Sequence, residues 1–289
     1  MAASPTITAW FDEATNTVSY LVIDPPTRCA AVIDSVLDFD VASGIAATRS
    51  AERILAAARE QGAQIAWVLE THVHADHLSA ARFIHDSTGA KIGIGAGICA
   101  VQKQFCDLFC ADDCRRGGGD FDHLFEDSET VPLGDLTIEV LATPGHTPAC
   151  VSYRIGDAVF VGDTLFMPDY GTARCDFPGG DPRKLYRSMQ RILALPPATR
   201  LFMCHDYKAP GRDRFAWETN VAEQRATNVH VGGGVSEDDY VAMRSARDAK
   251  LTVPKLLLPA IQVNMRGGRF PPPEPNGATF LRIPVTLPA

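Results

Sequence analysis

Thr71-His72-Val73-His74-Ala75-Asp76-His77 sets three imidazoles and a carboxylate within seven residues. Ahead of it, Gln64-Ile65-Ala66-Trp67-Val68-Leu69-Glu70 is apolar and partly β-branched, and reads as a buried strand. Behind it, Leu78-Ser79-Ala80-Ala81-Arg82-Phe83-Ile84 reads as a helix. The cluster therefore falls on a strand-to-helix turn, where side chains converge at the end of a sheet. Imidazole and carboxylate suit zinc, iron and other first-row divalent metals. A polar helix cap, with Asp76 at the cap position, explains one of the four side chains. A metal site explains all of them.

Toward the N-terminus, residues 17–24 and 29–36 read as two strands joined by the turn Asp24-Pro25-Pro26-Thr27-Arg28. Residues 46–61, rich in Ala, Arg, Leu and Glu, read as a helix. Past the cluster, 91–95 is a short strand and 98–114 a helix, ended by Arg115-Arg116-Gly117-Gly118-Gly119. A strand-rich half follows, with strands expected at 136–142, 149–154, 158–161 and 200–204. Three more ligand-type residues stand in loops directly after strands of this half. They are His146 in Thr143-Pro144-Gly145-His146-Thr147, Asp163 in Gly162-Asp163-Thr164, and His205. Each alone reads equally as a turn residue; together they supply enough ligands for two metal sites. Helices are expected over 181–195, capped by Asp181 with Pro182 in the first turn, and over about 214–227 and 236–250. From Val253 the chain is Pro-rich and reads as irregular. Two β-rich halves, each followed by helices, predict an α+β fold, a four-layer αββα sandwich formed as a single domain over residues 1–289. All the ligand-type residues then meet at one edge.

The chain has 289 residues and is 46% hydrophobic, enough for a full core. Its formal net charge of −8 argues against a nucleic-acid surface and does not suggest an anionic membrane. No run approaches the roughly 18 apolar residues of a spanning helix. The start, Met1 to Trp10, lacks a basic region followed by an apolar one, so a cytoplasmic protein without a secretory signal is expected. Cysteines 29, 99, 106, 110, 114, 150, 175 and 204 show no paired CxxC signature, and reduced thiols are the expectation. Cys106, Cys110 and Cys114 recur every four residues, so a continuous helix would line them on one face. His85, His123 and His230 have no ligand partners in the sequence and read as ordinary.

The motifs Thr71 to His77, Thr143 to His146, Gly162-Asp163-Thr164 and His205 resemble those of the metallo-β-lactamase superfamily. The resemblance implies one metal site from His72, His74 and His146, a second from Asp76, His77 and His205, and Asp163 as a bridge. The segments Gly171-Thr172-Ala173-Arg174-Cys175-Asp176-Phe177, Cys204-His205-Asp206-Tyr207 and Val263-Asn264-Met265-Arg266-Gly267 narrow this to the persulfide dioxygenase (sulfur dioxygenase) family, over most of residues 17–267. Two segments depart from that pattern. Residues about 103–123 look like an insertion, and a Pro-rich C-terminal extension runs from about 253.

The resemblance implies a single Fe(II) per chain held by His72, His146 and Asp163, the facial triad of non-haem iron oxygenases. His74, Asp76, His77 and His205 then become outer residues or an empty second half-site. The implied reaction takes glutathione persulfide and O2 to sulfite and glutathione, and a homodimer is the family expectation. Arg174 is the first candidate for the substrate's carboxylates, because a guanidinium grips carboxylate in two-pronged fashion. Tyr207 and Arg266 follow it. A salt bridge to Asp176 is the plain alternative for Arg174. Two Zn(II) ions and a thioester hydrolysis of the glyoxalase II kind form the alternative function. A thiol sensor built on Cys106, Cys110 and Cys114 is the reading of a different class.

Overall fold

Strands pair into two six-stranded sheets, each carrying helices on its outer face. The structure is a computed structural model and describes residues 4–287. The reading of the N-terminus begins at residues 1–3, outside the described residues. The first sheet has the order β1 (Thr6–Asp12), β2 (Thr17–Ile23), β3 (Cys29–Ile33), β6 (Gln64–Leu69), β8 (Lys91–Gly95), β9 (His123–Phe125). The second runs in chain order: β10 (Thr130–Leu133), β11 (Leu136–Ala142), β12 (Val151–Ile155), β13 (Ala158–Phe160), β14 (Arg200–Phe202), β15 (Glu218–Asn220). A small third sheet joins β4 (Val36–Asp40) to β5 (Ile45–Ala47) and β7 (Leu78–Ser79).

Side-chain alternation explains the layers. In β2, Leu21 and Ile23 face α1 (Arg49–Glu60), α2 (Ala81–Thr88), α3 (Ile98–Leu108) and α7 (Leu257–Asn264). Val18, Tyr20 and Val22 face the other sheet, packing with Val140, Tyr153 and Phe160. On the far side of the second sheet, Val159, Val161, Leu201 and Met203 pack on α4 (Pro182–Leu193), α5 (Val221–Thr227) and α6 (Glu237–Asp248). Three apolar cores separate four layers, α, β, β, α, as expected. Two buried tyrosines cross between the sheets in opposite directions. The Tyr20 hydroxyl donates to Met203 O and the Tyr153 hydroxyl to Glu70 O at 2.9 Å. Both acceptors lie at the ends of strands that lead into ligand loops, so the sheets are pinned where the site forms.

Asp181 caps α4, accepting from the backbone N–H of Arg183 and Lys184 with Pro182 at the first position, as expected. Elsewhere boundaries move. Residues 78–84 do not form a continuous helix. Leu78–Ser79 pairs with β4, and α2 starts at Ala81 with Ala80, not Asp76, at its cap. The strand expected over 29–36 breaks at Asp34 (φ 50°), and the helix expected from 46 starts at Arg49. The stretch from Val253 is not irregular throughout, because α7 forms within it. That helix is mostly buried, and its two polar side chains, Gln262 and Asn264, are buried along with its apolar ones, so it shows no amphipathic pattern.

The cysteine series also departs from expectation. Helix α3 ends at Leu108 and Cys110 adopts φ 48°, so the chain reverses instead of continuing as a helix to 114. The reversal brings the Cα atoms of Cys106 and Cys114 to 6.1 Å, within disulfide range, and the two are joined. Cys110 remains free and exposed.

Candidate metal centre

Every ligand-type residue singled out in the sequence arrives at one edge of the sandwich. His72, His74, Asp76 and His77 follow β6; His146 follows β11; Asp163 follows β13; His205 follows β14. One side-chain atom from each of His72, His146 and Asp163 falls within 4.8 Å of the others, and the same holds for His74, Asp76 and His77. The His72 and His146 rings lie 5.0 Å apart, and His205 Nε2 is 3.3 Å from both Asp76 Oδ2 and Asp163 Oδ1. Local backbone geometry permits this closeness. Gly162 holds φ 51°, and a Cβ there would lie 2.7 Å from Thr71 Oγ1.

Each imidazole engages one nitrogen outward. His74 Nε2 donates to Asp34 Oδ1 at 3.0 Å, and His146 Nδ1 to Arg174 O at 2.7 Å. His205 Nδ1 donates to Asn16 O at 3.1 Å. His72 Nδ1 meets Thr71 Oγ1 at 3.0 Å; that hydroxyl gives its own proton to Asp34, so it accepts from the ring. His77 Nδ1 meets Thr17 Oγ1 at 3.3 Å. The inward atoms are left without partners. His72 Nε2, His74 Nδ1, His77 Nε2, His205 Nε2 and Asp163 Oδ1 are buried with no hydrogen bond among the described residues. Buried polar atoms are normally satisfied. Five orphaned lone-pair or acceptor atoms, all converging, with the opposite ring nitrogens oriented, match the outer support that metal-binding histidines require. The donor set fits a first-row divalent metal.

Protonation agrees with that fit. Burial, helped by neighbouring imidazoles, holds His72 and His74 well below the usual histidine range, so both stay neutral and able to ligate. Burial opposes ionisation of Asp76, but His205 and His77 overcome it and keep Asp76 well below the usual carboxylate range. Burial lifts Asp163, partly offset by His205 and His146. For His205, burial is outweighed by Asp76 and Asp163, and its pKa rises. A divalent cation held by these residues would compensate the close-packed carboxylates Asp76 and Asp163.

Several essential supports escaped the sequence reading. Asp34 accepts from Thr71 N, Thr71 Oγ1 and His74 Nε2. Asn264, at the end of α7, donates to His74 O at 2.9 Å and His77 O at 2.8 Å, and accepts from Ser79 N at 2.7 Å. Thr17 and Asn16 hold two rings from the β1–β2 turn. Each is a single common residue far along the chain from what it touches. Cys204 also lies in a group with His74 and His205, but burial pushes its thiol far up.

A cleft of about 170 Å³ opens over Asp76, His146 and Asp163. Phe166, Tyr170, Phe177 and Tyr207 wall it. The Tyr207 ring stacks on His205, and burial raises its hydroxyl well above the usual range, so it stays a neutral donor. Arg174 lines the cleft, but its guanidinium is committed. It grips Asp176 through two contacts of 2.6 and 2.5 Å and donates to Thr252 O. Arg247, on the last turn of α6, also lines the cleft, and among the described residues its side chain has no ion pair. Arg266 is not at the cleft. It is buried, paired with Asp113 at 2.7–2.8 Å and bonded to Gln262 O, so substrate binding by Arg266 is corrected to a structural role. Its acidic partner lies 153 residues away in sequence, out of reach of any local pattern.

The Metallo-beta-lactamase superfamily profile matches residues 13–205. The chain is 52% identical to a probable metallo-hydrolase of Burkholderia pseudomallei (strain 1710b), across 97% of this chain and 99% of that one. It is 49% identical to the Beta-lactamase hydrolase-like protein of Agrobacterium fabrum, across 99% of this chain and 66% of that longer protein. Persulfide dioxygenase ETHE1, mitochondrial, of Homo sapiens is 29% identical, across 89% of this chain and 87% of that one. Among solved structures, ETHE1 from Myxococcus xanthus superposes with a TM-score of 0.73 at 30% identity, covering 91% of this chain and 100% of that one. No helix among the described residues is long and apolar enough to cross a membrane.

Proposed function

The chain belongs to the metallo-β-lactamase superfamily, and from that membership we propose that it is a persulfide dioxygenase. The proposed substrate is glutathione persulfide, which reacts with O2 and water to give sulfite and glutathione. The outer sulfur gives up four electrons in passing to sulfite, and O2 takes up the same four. The observation that carries the reading is the triad His72, His146 and Asp163, two imidazoles and a carboxylate whose ligand atoms gather within 4.8 Å at the base of an open cleft. Two imidazoles and one carboxylate are the ligand set of non-haem Fe(II) oxygenases. The likeness to ETHE1 from Myxococcus xanthus over the full length of that protein supports the same reading.

Iron held by His72, His146 and Asp163 would supply redox coupling between sulfur and O2. The chain supplies the rest. Thr71, its hydroxyl fixed by Asp34, and the Arg174 carbonyl keep the His72 and His146 rings turned inward. Phe166, Tyr170, Phe177 and Tyr207 give the sulfur's path an aromatic wall. Arg247, rather than Arg174, offers the free guanidinium for a carboxylate of the glutathione moiety. Tyr207 holds a phenolic proton over the site.

One observation favours a second reading. The other half-site is complete, with His74 Nδ1, His77 Nε2 and His205 Nε2 orphaned beside Asp76. Two metals there would suit a hydrolase, in keeping with the name of the Burkholderia relative. Metal content per chain, O2 uptake and sulfite release decide between them. One iron with O2 uptake from glutathione persulfide is expected. Two zinc ions with oxygen-independent thioester cleavage would replace the dioxygenase reading.

A further inference from the structure

A second, smaller cavity adjoins the cleft. The two share Ala75, His146 and Phe177. The remainder of its wall is almost wholly apolar: Val73 from the histidine turn, Val101 and Phe105 from α3, Leu257 and Ile261 from α7. It encloses about 20 Å³. A single water needs roughly 10–15 Å³ and two to four polar partners, whereas apolar cavities stay dry and take small apolar guests. Room exists here for one small molecule, but partners for water do not. His146 Nδ1 is committed to Arg174 O. The Thr147 hydroxyl is committed to Cys150 Sγ at 3.1 Å and to Ala149 N at 3.3 Å. One end of the cavity lies at the surface, where Pro178 is exposed and Phe177 and Leu257 are half-buried. The other end, at Val73, Ala75 and His146, is buried.

We propose that this cavity is a dioxygen site and entry route to the metal centre, separate from the cleft that takes the thiol substrate. The inference rests on the dioxygenase reading. Its physical basis is the difference between the co-substrates. A glutathione persulfide is large and anionic, and it fills the cleft beside Arg247. Dioxygen is small and apolar, and it partitions into dry apolar space. A path that reaches His146 from the α3–α7 side stays open while the cleft is occupied.

Xenon-pressurised crystals of the intact protein give a test independent of turnover. A xenon atom is expected among Val101, Phe105 and Ile261. Ordered water in its place overturns the proposal. Val101→Phe fills the cavity at depth and Leu257→Phe narrows its mouth, so a folding defect in one variant leaves the other. Each is expected to raise KM for O2 about 3–10-fold, with KM for the persulfide and iron content unchanged. Equal rises in both KM values overturn the proposal, since the cavity would then only support the cleft. Xenon binding in an iron-loaded protein that consumes no O2 defeats the dioxygenase reading and the ligand assignment with it. O2 consumption without xenon binding defeats the cavity assignment alone.

Discussion

Asp34 touches three groups at once: the Thr71 N–H, the Thr71 hydroxyl and His74 Nε2. It sits in the left-handed region at φ 50°, which Asp tolerates better than most residues, and its N–H bonds Leu69 O. Asp34→Asn keeps the shape but turns one acceptor into a donor. Metal affinity is expected to fall about 10–100-fold, measured by competition with a chromophoric chelator. An unchanged affinity would remove Asp34 from the support of the centre. Arg247→Ala should raise KM for a carboxylate-bearing thiol about 10–100-fold with little change in kcat, since a charge-assisted bond contributes about 1.5–3 kcal/mol. Matched kinetics with an uncharged thiol should show no such rise. His230 carries a pH signature. Burial, with Arg247 and Arg244 nearby, lowers its pKa from 6.5 to about 4. The unfolded chain therefore takes up the proton first as pH falls, so this contribution is full above pH 6.5 and drains between 6.5 and 4. From pH 7 to 5 the wild type should lose about 2 kcal/mol more than His230→Gln in denaturant titrations. The ligands themselves were legible because ligand-type side chains stand at strand ends in short motifs. Asp34, Thr17 and Asn264 were not, because nothing local distinguishes a lone Asp, Thr or Asn whose partner lies 37 to 190 residues away.

Helix α7 shows what an element adds beyond its residues. It has no amphipathic stripe and carries Pro259 in its first turn, where a missing N–H costs nothing. Both features hid it in the sequence, whereas α4, with its polar cap, Pro182 and one buried face, was plain. Its C-terminal Asn264 ties down the carbonyls of His74 and His77. Asn264→Ala leaves two buried carbonyls and the Ser79 N–H unpaired, and should cost about 1–3 kcal/mol of stability by denaturant titration. Asn264→Asp restores the acceptor to Ser79 but neither donor, and should remain destabilised. On the opposite side α6 plays a parallel part. Asp248, paired with Arg244, accepts from Cys175 N at 2.8 Å and so steadies the segment whose Arg174 carbonyl orients His146.

Across the whole molecule, the αββα layering was readable because strand alternation and helix patterns survive without tertiary information. The small sheet of β4, β5 and β7 was not, since its strands are short and pair residues from either side of the histidine turn. The metal edge joins loops from both halves of the chain, the histidine turn after β6 with the loops after β11, β13 and β14, so an ion bound there braces both. At a free metal concentration of 100 times Kd, binding stabilises by about 2.7 kcal/mol. Chelation should therefore lower Tm by about 5–10 °C for a chain of this size, by calorimetry. An unshifted Tm would mean that the ligand shell is equally stable without its ion.

The bond from Asn264 to His74 spans 190 residues, and this has a consequence in time. A ribosome adds about 5–20 residues per second, so the histidine turn is made about 10–40 s before the asparagine that holds it. Through that interval His146, Asp163 and His205 are also still arriving, one strand at a time. The nascent turn has side chains that attract any passing divalent ion, yet no frame to choose among them. The frame that orients all the ligand side chains is complete only once Asn264 has been made, so any choice among ions falls to the fully folded chain.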